Sequence, residues 1–203
     1  MAQGEQAAAE APVDGRTARS LRTRDAIVDA CISLVDDGDL RPTGPRIAER
    51  AGVSVRSVFQ HFDDLENLFA MVAERSVERV AQLIVTVDPS LPLEARLDRF
   101  TRQRFALLEA ITPIRRAASV HAPGSAEITS RLQEGHDFLR GEVAEAFAVE
   151  LAARGDGQRL LLDVLDTALS WPAWEGLRGF NGRSPDDAAA VVTRMVRDAL
   201  GLA

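Results

Sequence analysis

Within six residues, Arg56, Ser57, Gln60 and His61 gather four hydrogen-bonding side chains that can stand on one side of a helix. Arginine forks onto guanine O6 and N7, glutamine onto adenine, and serine onto bases or phosphate, so the set is equipped to read edges in a DNA major groove. The elements that must position it lie next to it. Ile47, Ala48 and Ala51 make a small apolar stripe on a first short helix, and Gly52 stops that helix because glycine accepts positive φ at a C-terminal cap. Val53 and Ser54 then supply a core plug and an N-cap. In the second helix Val55, Val58, Phe59 and Phe62 recur at i, i+3, i+4, i+7 and are expected to pack inward. Two short helices joined by a tight turn read as a helix-turn-helix. The same spacing also fits a helical hairpin that only packs against its neighbours.

Flanking residues complete a small core. Ile27, Val28, Cys31, Leu34 and Val35 predict an amphipathic helix ending at Asp36-Asp37-Gly38. After the reading helix, Asp63-Asp64-Leu65-Glu66 puts acids where a helix macrodipole favours them. Leu68, Phe69, Val72, Val77, Val80, Leu83 and Ile84 then extend one continuous helix from residue 64 to about 85. Pro89 and Pro92 close this region.

Residues 21–70 resemble the N-terminal DNA-binding domain of the TetR (tetracycline-repressor) family of transcriptional regulators. The resemblance is carried by Ile27, Ala30 and Leu34, by Ile47-Ala48 and Ala51-Gly52-Val53-Ser54 through the turn, and by Phe59, His61-Phe62 and Leu68. It implies an all-α fold, with a three-helix helix-turn-helix domain over residues 19–65 and a larger helical domain over 66–203 that binds an effector and dimerises. Two positions depart from the family. Most members carry Tyr where this chain has Phe59 and Lys where it has Leu65, and in the family both contact phosphate.

Arg16, Arg19, Arg22 and Arg24 form a basic run placed ahead of the first helix. It reads as a phosphate-tracking arm or as a solvated tail, with Arg22 and Arg24 the better placed for contact. Thr43, as N-cap of the second helix, and Arg46 match positions near the DNA backbone in the family. The candidate DNA-contacting set is therefore Arg22, Arg24, Thr43, Arg46, Ser54, Val55, Arg56, Ser57, Gln60 and His61, facing a palindromic double-stranded operator. Eight arginines meet six acids between residues 16 and 62, while the whole chain carries −7. Positive charge thus collects where DNA would lie, in a protein too acidic to be a general nucleic-acid binder.

Composition excludes several alternatives. All 24 basic residues are arginine, so chemistry that needs a lysine, such as a P-loop or a Schiff base, is not available. The single cysteine, Cys31, rules out an internal disulfide framework and reads as a packed core thiol. The three histidines, His61, His121 and His136, lack carboxylate or cysteine partners at metal-ligand spacing, so no catalytic or metal site and no cofactor is expected. No apolar run approaches a membrane span, and the start lacks the basic and apolar regions of a signal peptide, which predicts a cytoplasmic protein with a disordered tail at residues 1–18.

Beyond Pro92, periodicity outlines a helix through Leu93, Leu97, Phe100, Arg104, Leu107, Leu108 and Ile111, interrupted by Thr112-Pro113 and followed by a short piece from 114 to about 120. Ile128, Leu132, Leu139, Val143, Phe147 and Leu151 mark one long helix ending near Gly155. The segment from Leu160 to Trp171 is apolar around most of its circumference, and Pro172 should kink or restart it. The last helix, residues 185–200, carries a stripe rich in small residues. Two such helices suit a four-helix interface across a twofold axis, and the family resemblance likewise implies a homodimer through the last two helices. It also places a small-molecule effector among the middle helices, where Phe100, Arg104, Phe105, Phe138, Trp171 and Trp174 are candidates, with His121 or His136 as polar contacts. Each of these residues equally suits core packing. The reading is a transcriptional repressor released by an effector that shifts the fourth helix. The alternative is a helical protein-binding module that does not bind DNA.

Overall fold

Among the described residues, capping side chains set where half of the α-helices begin. In the computed structural model, which describes residues 15–202, the head of the molecule comprises α1 (Gly15–Asp36), α2 (Gly44–Ala51), α3 (Val55–His61) and α4 (Leu65–Ala81). Ser54 caps α3 by accepting from the Ser57 amide at 3.1 Å, and Asp64 caps α4 by accepting from the Asn67 amide at 2.8 Å. The four helices share one core, in which Ile27, Cys31, Ile47, Val58 and Leu68 are fully buried. Each such aliphatic contributes about 1.5–3 kcal/mol of gross burial energy, so the head has a core of its own. Cys31 is the packed thiol expected, and burial foremost, with Asp39 adding, pushes it up to about 12.

Two expectations for the head are corrected. Residues 15–18 belong to α1 and not to a tail, and Arg16 and Arg19 therefore lie on the helix rather than ahead of it; residues 1–14 of the expected tail lie outside the described residues. Once the packed stretch from Ile27 onward nucleates the helix, the preceding Arg, Leu and Ala residues propagate it at little cost. At the other end of the head, α4 stops at Ala81, short of residue 85. The run Ile84-Val85-Thr86-Val87 is β-branched throughout, and Pro89 follows, which disfavours helix.

The body comprises α5 (Leu93–His121), α6 (Ala126–Ala146), α7 (Ala148–Ala153), α8 (Gln158–Ala168), α9 (Trp171–Glu175) and α10 (Pro185–Leu200), with a π-helical turn over Gly176–Phe180. Its core gathers Phe100, Leu108, Phe147, Leu165, Trp174 and Val192. Contrary to the expected interruption, α5 runs straight through Pro113. The surrounding contacts hold it: Thr112 is buried, its hydroxyl donates to the Leu108 carbonyl at 2.7 Å, and it accepts from Trp171 Nε1 at 3.2 Å. The long helix expected through Leu151 instead breaks at Phe147, which takes φ −114° and ψ 24°. That turn lets Phe147 bury completely, edge-on to Phe100 with centroids 5.4 Å apart. Pro172 restarts the chain as α9, as expected, and Ser170 caps it.

Polar contacts fasten the segments together. Buried Arg96 donates from Nη1 to the Pro89 carbonyl at 2.9 Å and from Nη2 to Glu150, tying the α4–α5 connection to α7. At the junction of head and body, Ser125, the N-cap of α6, donates to Glu66 at 2.6 Å, and His121 Nε2 lies 3.2 Å from the Leu40 carbonyl. The His121 ring also meets Phe69, with centroids 4.8 Å apart. Among the described residues no helix is long and apolar enough to cross a membrane.

Candidate nucleic-acid interface

The turn between α2 and α3 follows from Gly52. Its φ of 68° is left-handed, its amide donates to the Glu49 carbonyl at 3.2 Å, and the next amide, Val53, donates to Ala48 at 3.0 Å. This closes α2 and aims α3 across it. Within α3 only Val58 is fully buried, and Phe62 follows it into the core just past the helix end. Val55 and Phe59, expected inward, are instead 40% and 46% exposed. A helix of seven residues has room against α1 and α2 for one inward row, and Val58 with Phe62 fills it. The Phe59 ring lies over Gly44 at the start of α2, where a Cβ would come within 3.2 Å of its Cε2 and Cζ atoms.

The outer side of α3 presents Arg56 and Gln60 exposed and Ser57 half-exposed. Ser54 is exposed, but its hydroxyl oxygen is engaged as the cap. Thr43 occupies the N-cap position of α2 with extended backbone and makes no side-chain cap bond. Among the described residues Arg22 and Arg56 form no ion pair, whereas Arg46 is held by Asp39 at 2.7 Å. That pairing was not evident from the sequence, because Asp39 lies in the connection before α2. Arg22 and Arg24 are exposed on α1, and the Arg24 guanidinium sits 5.4 Å from the centre of the Phe62 ring, anchored by a cation–π contact. His61 is half-buried and lines a cleft of ≈ 380 Å³ with Arg24, Asn67, Glu74 and Arg131 of α6, so it faces the body more than the outer side of α3.

The six residues considered for a small molecule are not gathered around one open space. Phe100 and Trp174 are buried in the body core, Phe105 stacks on Trp174 with centroids 5.1 Å apart, and Phe138 is 51% exposed on α6. Trp174 Nε1 donates to Glu109 at 2.8 Å, and Trp171 is half-buried beneath the Arg115 guanidinium. Arg104 is buried over the Phe100 ring and donates to the Leu139 carbonyl at 3.0 Å. The larger cleft touches none of the six, and a void of ≈ 10 Å³ beside Phe100, Glu142 and Glu145 has room for about one water. The polar contacts expected of His121 and His136 go elsewhere: His121 to Leu40, and His136 to within 3.6 Å of Asp166.

No protein-family model matches the chain, and no curated protein matches it by sequence. Solved structures do match. A TetR-family transcriptional regulator from Mesorhizobium loti superposes with a TM-score of 0.65 at 20% identity, over 90% of this chain and 97% of that one. A TetR-like transcriptional regulator from Rhodococcus sp. gives 0.64 at 17% identity, covering 88% and 96%. A TetR transcription regulator from Haloarcula marismortui gives 0.59 at 16% identity, covering 89% and 97%. With a capped helix-turn-helix in a four-helix head and a larger helical body, the chain has the fold of TetR-family transcriptional regulators.

Proposed function

We propose that this chain is a DNA-binding transcriptional regulator, a cytoplasmic homodimer that represses its target and is released by a small-molecule effector. The observation that carries the reading is the outer side of α3, where Arg56, Ser57 and Gln60 are accessible while the helix is anchored from behind by Val58. A reading helix needs that combination of rigid placement and free hydrogen-bonding groups. The dimer reading is supported by apolar side chains on α8 and α10 that the subunit leaves uncovered: Leu160 is 70% exposed, with Val164, Val191 and Met195 beside it on the same pair of helices. Covering them across a twofold axis would set two reading helices roughly 34–36 Å apart, one turn of DNA. The release step is supported by the junction contacts. Glu66, in the first turn of α4, is bonded to Ser125 at the start of α6, so displacement of α6 pulls on α4. An effector that favours the displaced state by about 1–3 kcal/mol lowers operator affinity by the same amount.

Footprinting on DNA flanking the chain's own gene identifies the operator, and the variant Arg56→Ala tests the contact. Loss of about 1–3 kcal/mol of specific affinity is expected, together with a steep salt dependence of binding. A protein-binding module would show neither, and its Arg56→Ala variant would bind any DNA as the parent does. Light scattering checks the assembly, with Leu160→Arg expected to give the monomer mass.

A further inference from the structure

α6 is fastened to the body core by Val143 and Ala146 at its C-terminal end, and along the rest of its length its hold on α5 is partly polar. From residue 126 to 142 no α6 side chain is fully buried. Two arginines of α5 reach α6 main chain instead: Arg104 donates to the Leu139 carbonyl at 3.0 Å, and Arg115 donates from Nη1 to the Leu132 carbonyl at 3.4 Å. Carbonyls inside a helix already accept from the amide four residues on, so these are weak acceptors for a guanidinium. Arg115 is half-buried, and its Nε–H is buried with no partner. Among the described residues neither arginine forms an ion pair. Asp166, near Arg104, is taken by Arg140 at 2.9 Å. Burial, the foremost cause, pushes Arg104 down to about 10 against Glu142 and Asp166, and burial alone lowers Arg115.

A desolvated cation that meets only neutral acceptors is unstable relative to one that meets an anion, and a guanidinium is shaped for a carboxylate. The surroundings of Arg115 fit such a ligand. The Trp171 ring lies 5.3 Å from its guanidinium carbon and offers an apolar face, and Gly135 stands opposite on α6, where even a Cβ would be 3.9 Å from Nη1.

We propose that the Arg115 end of the α5–α6 seam is an anion site that takes a small carboxylate with an aromatic or aliphatic body, admitted when α6 lifts. The carboxylate meets the Arg115 Nε–H and Nη groups, and the body lies along Trp171. Arg104 sits about 16 Å farther along α5 and holds α6 at Leu139 while the Arg115 end opens. The inference rests on the effector-released reading and gives that effector its chemical class.

The test uses the full chain and its own fluorescence, because the two tryptophans, Trp171 and Trp174, are both in α9. Benzoate, phenylacetate and octanoate are titrated to about 1 mM, a weak-ligand concentration, beside their neutral amides. At least one acid is expected to give a saturable change that its amide does not. Arg115→Gln should weaken it roughly tenfold or more, the loss of one charge-assisted hydrogen bond, and Arg131→Gln on the exposed side of α6 should not. Arg115→Met separates a ligand site from a strut: its melting temperature should stay the same or rise. Equal binding of acid and amide, an unaffected Arg115→Gln, no response to any of the three acids, or a melting temperature several degrees lower in Arg115→Met each overturns the proposal. Operator affinity without added acid is measured in parallel. DNA binding with no acid response refutes the anion site alone, and an acid response without DNA binding refutes the regulator reading alone.

Discussion

Phe59→Tyr adds one hydroxyl to the side of α3 that would meet DNA, at the position where the related family carries tyrosine. The ring is 46% exposed, and its tip rests over Gly44, the first residue of α2. The new oxygen would extend beyond that tip, beside the N-terminal end of α2, whose first amides have no partner within the helix and favour an anion. Little reorganisation is needed, since the ring is already held. A hydrogen bond to a charged group is worth about 1.5–3 kcal/mol, and 1.4 kcal/mol is tenfold, so operator affinity should tighten about tenfold or more. Stability should change by less than about 0.5 kcal/mol, as for other exposed substitutions. Fluorescence anisotropy of a labelled operator duplex, run at several salt concentrations, reads both affinity and slope. A neutral hydroxyl releases no counterion, so the slope should stay as in the parent. Unchanged or weaker binding by a folded variant would mean that this ring does not approach the DNA backbone, and the docking of α3 would be wrong.

Leu65→Lys is the complementary change: by restoring a cation it should steepen the salt slope by about 0.9, and because Leu65 packs partly against the head core it should also lower the melting temperature. Gly52→Ala forces a Cβ into left-handed backbone at φ 68°, with an expected loss of about 1–2 kcal/mol in urea denaturation. Arg96→Leu leaves the half-buried Glu150 carboxylate without its cation and should cost about 3 kcal/mol by the same measurement. The Glu109 carboxyl is held below the usual carboxylate range, first by hydrogen bonds from Arg178 and then by Trp174, against burial. A depressed carboxylate stabilises the fold above its unfolded value and ceases to as pH falls through the folded one, so Glu109→Gln should flatten the loss of stability below about pH 4.3.

The head was the legible part because its signals are local. Gly52, Ser54 and the apolar spacing from Ile47 to Val58 act within two turns of helix, and the structure realises them with the bonds those residues favour. Local preference misleads where tertiary packing outweighs it. Pro113 stays inside α5 because Thr112, bonded to the Leu108 carbonyl and to Trp171, holds the turn before it, and Phe147 leaves the helix because Phe100 offers it a buried place. Spacing could not separate Val55 and Phe59 from Val58, since a short helix offers its neighbours a narrower side than a long one. The effector candidates were the least legible. Aromatic residues at helical spacing mark a core, and only contacts made across α5, α6 and α9 reveal that Arg115, which no local pattern singles out, has a buried Nε–H without a partner beside Trp171.

The length of α1 changes what the basic run can contribute. Arg16, Arg19, Arg22 and Arg24 stand on backbone that is already helical in the free protein. An arm that ordered only on DNA would forfeit about 1–2 kcal/mol of backbone entropy per residue and would announce itself by a large negative heat-capacity change. A preformed rod forfeits none of this, so calorimetry of the complex should show a modest heat capacity and an affinity that varies gently with temperature.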